Sequence, residues 1–237
     1  MWTAAALGCD EGSGGTQARA RALLVFSIIA RYSGASSFFW MFKNAMKPHF
    51  RFNFTFPRNY EVRILEAAPP VHPVEKLYHY PLELEEGDRS GVYVRDTPQS
   101  GPARVGFFAL GFDSDQVISQ VCSTPDPESF CVVVGGYAYV VKAGNPGQWL
   151  RVGQSPVVDL RVLSQQGLLL FAGFTSITAV GSSGIAWTTE RLTWEGLTIT
   201  AIDGDRLAGH GWDALADKEV PFEVDLKTGK HTGGARP

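Results

Sequence analysis

From residue 50 the apolar positions fall into short runs separated by turn residues, which predicts a chain of β-strands. Phe50, Phe52, Phe54 and Phe56 alternate with Arg51, Asn53 and Thr55. That period of two predicts a half-buried strand ended by Pro57. Val62 and Ile64 alternate with Arg63 and Leu65 in a second strand, and Pro69, Pro70 and Pro73 then break the chain. Lys76–Leu84 reads as a strand interrupted at Pro81. Proline offers no N–H to a ladder, so this segment belongs at a sheet edge. Gly91–Arg95 predicts a short strand, Arg104–Phe112 a buried one, and Asp113–Ile118 a short helical turn.

The second half repeats itself. Cys131–Val141 is an almost continuous apolar run around Gly136, followed by a turn, Gly144–Gly147, and by Trp149. Leu168–Val180 is a second such run around Gly173, followed by Gly181–Gly184 and Trp187. Asp205–Trp212 starts a third around Gly209. The spacings are 37 residues from Gly136 to Gly173, 38 from Trp149 to Trp187 and 36 from Gly173 to Gly209. Alternating strands, Val158–Val162 and Leu197–Ala201, lie between the runs and enter them through tight turns at Ser164–Gly167 and Asp203-Gly204. A period of about 37 residues with four short strands per unit predicts an all-β, propeller-like repeat. Helical repeats of this length need sustained 3.6-residue periodicity, which is absent. Val132–Val134, Leu168–Phe171 and Arg206–Ala208 are expected on equivalent inner strands. Each glycine would sit where blades crowd, and the two tryptophans would occupy superposable wedges between blades. Three such units do not close a ring, since propellers take four to eight blades. The expectation is therefore an incomplete or open arrangement, or a ring completed by a partner, with a two-sheet β-sandwich as the alternative.

Val224-Asp225-Leu226-Lys227-Thr228-Gly229-Lys230 resembles the Asp-x-x-Thr-Gly-Lys hairpin of pyrroloquinoline-quinone-type and related propeller repeats. The resemblance spans about residues 131–230, with the motif in the last unit alone. It implies a β-repeat fold and no particular function. The quinone-binding and metal-binding residues of those dehydrogenases have no counterparts here, so it brings no cofactor.

Three segments follow: 1–45, a leader or tail with a helix over 17–31; 46–128, an N-terminal β region; and 129–237, the β-repeat region. Charge divides the chain in the same sense. Residues 1–60 carry seven Lys/Arg against two Asp/Glu, whereas the rest carries 14 against 22. An acidic body lacks the clustered basic face that phosphate neutralisation demands, which argues against nucleic acid as a partner. The longest apolar stretch is Ala22–Ala30, preceded by Arg19 and Arg21 and closed by Arg31. It falls short of the roughly 18 residues of a membrane span, so no transmembrane segment is expected. A cytoplasmic protein is expected, or a secreted one if Ala22–Ala30 serves as the apolar core of a signal peptide. The 26 glycines of 237 residues suit many tight turns, and a charged share of 19% excludes a disordered polyelectrolyte.

Candidate chemistry is sparse. No nucleophile elbow, phosphate loop or metal-ligand spacing occurs among the five histidines and three cysteines. Cys122 and Cys131 flank Thr124–Pro127 and could close that loop as a disulfide, or stand reduced with one of them buried in a strand. His210 lies in Gly209-His-Gly-Trp212-Asp213, with Asp217 nearby. Flanking glycines would let a ligand approach the backbone. A histidine, a tryptophan face and two carboxylates could support acid–base chemistry or sugar stacking. His210, Trp212, Asp213 and Asp217 are therefore the candidate ligand-binding residues. No catalytic residue, metal or cofactor is expected. The expected function is a non-catalytic binding or scaffold module for a protein partner or a second copy. The alternatives are a small hydrolase or lyase with a site near His210, or a secreted glycan-binding protein.

Overall fold

Short turns fold the chain from Gln120 onward into three successive antiparallel meanders. The structure is a computed structural model that describes residues 49–69, 77–81, 90–112, 114 and 116–235. The helix expected over 17–31 and the leader 1–45 lie outside these residues. The first meander runs through β6 (Gln120–Ser123), β7 (Ser129–Val134), β8 (Tyr137–Lys142) and β9 (Asn145–Arg151). The second contains β10 (Asp159–Leu163), β11 (Leu168–Ala172), β12 (Ile177–Gly181) and β13 (Gly184–Thr188). The third contains β14 (Glu195–Asp203), β15 (Arg206–Asp213), β16 (Lys218–Asp225) and β17 (His231–Gly233). Upstream lie β1 (Arg51–Asn53), β2 (Tyr60–Leu65), β3 (Leu77–Tyr80), β4 (Gly91–Pro98) and β5 (Arg104–Ala109).

These strands form four sheets, called I to IV in chain order. Sheet I has the order β2-β4-β5-β3, with β3 as a parallel edge strand beside β5. Sheet II is the first meander with β1 added parallel to β6, and sheets III and IV are the other two meanders. Four sheets exclude the two-sheet sandwich. The divide at 128/129 falls within the β6–β7 hairpin, so strands from both sides of it share one sheet.

Three apolar cores join the sheets in succession. Phe108, Val94 and Tyr80 of sheet I meet Phe130, Val132, Val134 and Tyr139 of sheet II. Cys131, Val133 and Val140 of sheet II meet Leu169, Phe171 and Val180 of sheet III. Leu168, Leu170 and Ala179 of sheet III meet Leu207, Phe222 and Val224 of sheet IV. Side chains alternate across a strand, so β7 and β11 feed two cores at once and read as unbroken apolar runs. Among the described residues no apolar core joins sheet I to sheet IV. The joint between sheets I and II is also crossed by hydroxyls. Tyr60 donates to Ser129 O at 2.7 Å, Tyr80 to Pro146 O at 3.1 Å and Tyr139 to Ala109 O at 3.2 Å. Burial pushes the phenols of Tyr60 and Tyr80 above their ordinary range.

The three segments expected on equivalent strands lie on β7, β11 and β15, the second strand of each meander. The tryptophans are not equivalent. Trp149 stands opposite Val141 and packs toward sheet I, edge-on to Tyr80 at 5.5 Å. Trp187 stands opposite Ala179 and packs toward sheet IV. The 38-residue spacing is one more than the 37 that relates Val132 to Leu169, and a slip of one residue turns a side chain to the other face. Gly209 likewise falls inside β15, whereas Gly136 lies in the turn after β7 and Gly173 follows β11.

Two further expectations change. The phenylalanine alternation yields only the three residues of β1. The Asn53 side chain accepts hydrogen bonds from Thr55 N at 3.1 Å and Thr55 Oγ1 at 2.6 Å, turning the chain out of the extended conformation. Phe52 is consequently 54% exposed while Phe56 is buried. Where a helical turn is expected, Val117 N donates to Ser114 O at 3.3 Å, and the described residues include no helix. No helix among them is long and apolar enough to cross a membrane.

Candidate functional site

Sheet IV, like sheet I at the other end of the series, has one face in a described apolar core and one outside it. Along β15 the burial alternates. Leu207, Gly209, Gly211 and Asp213 are buried toward sheet III, while Arg206, Ala208, His210 and Trp212 occupy the outer face. His210 and Trp212 therefore share one surface, and Asp213 lies behind it. Asp213 Oδ1 accepts from Leu215 N at 2.9 Å and Ala216 N at 3.3 Å, closing the β15–β16 turn. Asp217 ends that turn in a left-handed conformation, with φ of 51°. Two of the four expected ligand-binding residues thus stand together, and the two carboxylates shape the hairpin.

The carboxylates that accompany His210 and Trp212 come from neighbouring strands. Trp212 stands opposite Glu195 of β14 and Glu219 of β16, and His210 opposite Thr198 and Pro221. Glu219 Oε2 lies 3.4 Å from His210 Nδ1, which makes no hydrogen bond. Farther along the face Arg206 pairs with Glu223 at 2.5 Å. Glu195 and Glu219 escape sequence reasoning because they lie 17 residues before and seven after Trp212. Their place follows from cross-strand register, and for Glu195 from an irregularity between Glu195 and Thr198.

The glycines around His210 serve packing. A Cβ on Gly211 would lie 2.1 Å from the Thr193 methyl, and one on Gly209 2.4 Å from the Phe222 ring. Both groups belong to the sheet III side, so the glycines admit neighbouring side chains and not a ligand. Gly211→Ala is expected to destabilise the fold by about 1–3 kcal/mol through overpacking, read as a lower urea midpoint at unchanged m-value.

Elsewhere, Cys122 and Cys131 face each other across β6 and β7 as buried free thiols. Burial first, and the hydrogen-bonded Cys122 second, hold the Cys131 thiol well above its ordinary range. An open groove between sheets II and III is lined by Asp126, Ser129, Lys142, Trp149 and Ser183. Its charged groups are engaged. Lys142 pairs with Glu128 at 2.9 Å, and Asp126 Oδ2 accepts from Ser129 Oγ at 2.7 Å. Among the described residues no group of three or more His, Cys, Asp or Glu could hold a metal ion.

No family model matches the chain, and no curated protein does. Matches to solved structures are distant. The crystal structure of a eukaryotic initiation factor aligns with a TM-score of 0.32 and 16% identity, over 60% of this chain and 40% of that one. The crystal structure of the N-terminal domain of Nup159 aligns with a TM-score of 0.32 and 14% identity, over 81% of this chain and 55% of that one. The chain thus spans 40% and 55% of the lengths of these two structures.

Proposed function

We propose that this chain is a non-catalytic binding module of propeller type, with its four sheets as successive blades and the outer face of sheet IV as its contact surface. The observation that carries this reading is the pairing on that face of half-buried Trp212 and His210 with no described apolar core above them. Aromatic side chains bring large contact area at small entropic cost, which suits them to partner surfaces. A hydrolase built on His210 together with Asp213 finds less support, because Asp213 closes a turn on the opposite face.

The reading is tested with a photo-crosslinking residue placed at Thr198, on this face, and separately at exposed Gln165 in the β10–β11 loop. A discrete protein adduct is expected from Thr198 and not from Gln165, and it should disappear in Trp212→Ala. In parallel, chromogenic esters, phosphates and glycosides should show no turnover that depends on His210. Turnover abolished by His210→Ala, or no adduct from Thr198, would overturn the reading.

A further inference from the structure

Trp212 sits between two carboxylates in one cross-strand row, Glu195–Trp212–Glu219. An indole face attracts cations through its quadrupole, and carboxylates at its edges supply hydrogen-bond acceptors and opposite charge. The same chemistry recurs within this chain. Arg58 lies over the Phe54 ring at 4.2 Å, Arg151 over Tyr137 at 4.0 Å and Arg191 over Trp194 at 4.3 Å. Trp194 is an immediate neighbour, its N–H donating to Trp212 O at 2.8 Å. Trp212 itself carries no cation among the described residues. Arg206, the cation of the same strand and face, is taken by Glu223. Glu195 has no ion-pair partner among the described residues, and Glu219 has only His210 beside it.

We propose that this row holds the lysine or arginine side chain of a partner peptide, its charge over the Trp212 ring and between Glu195 and Glu219. The inference rests on the outer face of sheet IV being the contact surface. The choice of a cationic occupant follows from charge complementarity. Around Trp212 the face presents Glu195 and Glu219, while Glu223 farther along is paired with Arg206, and an arginine or lysine satisfies the ring and the two free carboxylates together. A neutral sugar would use the ring and leave the carboxylate charges uncompensated.

The test is calorimetric titration of the full-length chain with the peptide acetyl-Gly-Arg-Gly-Arg-Gly-amide, beside the same peptide carrying glutamates, at low and at physiological salt. Binding of the arginine peptide alone is expected, weakened by salt. Trp212→Ala and the Glu195→Gln/Glu219→Gln pair should each weaken it at least tenfold. Trp212→Phe should retain most of it, and Glu223→Gln should change it less than threefold. Melting curves of each variant within a few degrees of the parent separate these losses from unfolding. Equal binding by all variants would overturn the proposal, as would stronger binding of the glutamate peptide. Absent peptide binding with the Thr198 adduct intact would reject the cationic occupant and leave the contact surface standing. Loss of both would remove the surface as well.

Discussion

Trp187→Ala is expected to be among the most damaging single substitutions in the described fold, costing about 3–5 kcal/mol. Trp187 is 8% exposed and lies where sheet IV returns to sheet III. Its Nε1 donates to Leu226 O at 2.8 Å. The hairpin that carries Leu226 is tied by Asp225, whose Oδ1 accepts from Lys227 N and Thr228 N at 2.9 Å each and from Thr228 Oγ1 at 3.0 Å. The Thr228 hydroxyl first, and the backbone donors with it, hold the Asp225 carboxyl below its ordinary range. Gly229 completes the turn at φ of +71°, close enough to the indole that a Cβ would meet it at 2.7 Å. The Asp-x-x-Thr-Gly motif is therefore a joint between sheets, seated on a tryptophan of the preceding one. Removing the indole empties that seat and strands a buried carbonyl. Urea unfolding should show the loss, and a change below about 1 kcal/mol would mean that the hairpin does not depend on its seat.

Asp96→Asn is expected to stabilise the chain at neutral and alkaline pH. Asp96 is 5% exposed on β4, opposite Arg104 of β5, and its Oδ2 has no hydrogen-bond partner. Arg104 is partly committed elsewhere, since its Nη1 donates to Ala143 O at 2.5 Å. Burial pushes the Asp96 carboxyl up to about 7, against an opposing pull from Arg104. The sign follows from proton counting. Between about pH 4 and 7 the unfolded chain has released this proton while the folded chain keeps it. Stability contributed here is full below about pH 4, falls as pH rises toward 7 and is level above it. A shift of about three units corresponds to roughly 4 kcal/mol at pH 8. The stability difference between Asp96→Asn and the parent should grow by about 2–3 kcal/mol from pH 5 to pH 8 in urea titrations. A difference independent of pH would show that Arg104 keeps the carboxylate charged throughout.

The candidate site was legible in part. Gly209–Trp212 lies within β15, where period-two alternation puts His210 and Trp212 on one side. The carboxylates read beside them, Asp213 and Asp217, belong to the hairpin turn, since a strand turns adjacent residues to opposite faces. Glu195 and Glu219 reach Trp212 through pairing between strands, and pairing leaves no local trace. Asp96 lacked any signal of its own, because its environment is assembled from β4, β5 and the turn after β8.

The sequence by itself determined most of the strands and turns and the existence of a repeat, because apolar periodicity and turn chemistry are local. It also held the clue to which sheets are covered on both faces. The unbroken runs of β7 and β11 lie between two cores, while β15, with Arg206, His210 and Trp212 alternating against small or apolar residues, has one covered face. Tertiary structure decided how strands far apart combine. It placed β1 beside β6 and β3 beside β5 through parallel pairings, and it joined β6 to the sheet of the first repeat. It also decided which way Trp149 and Trp187 point. The two turn to opposite neighbours because a one-residue difference in spacing reverses the face of a strand, and only the cores on either side give that face a meaning.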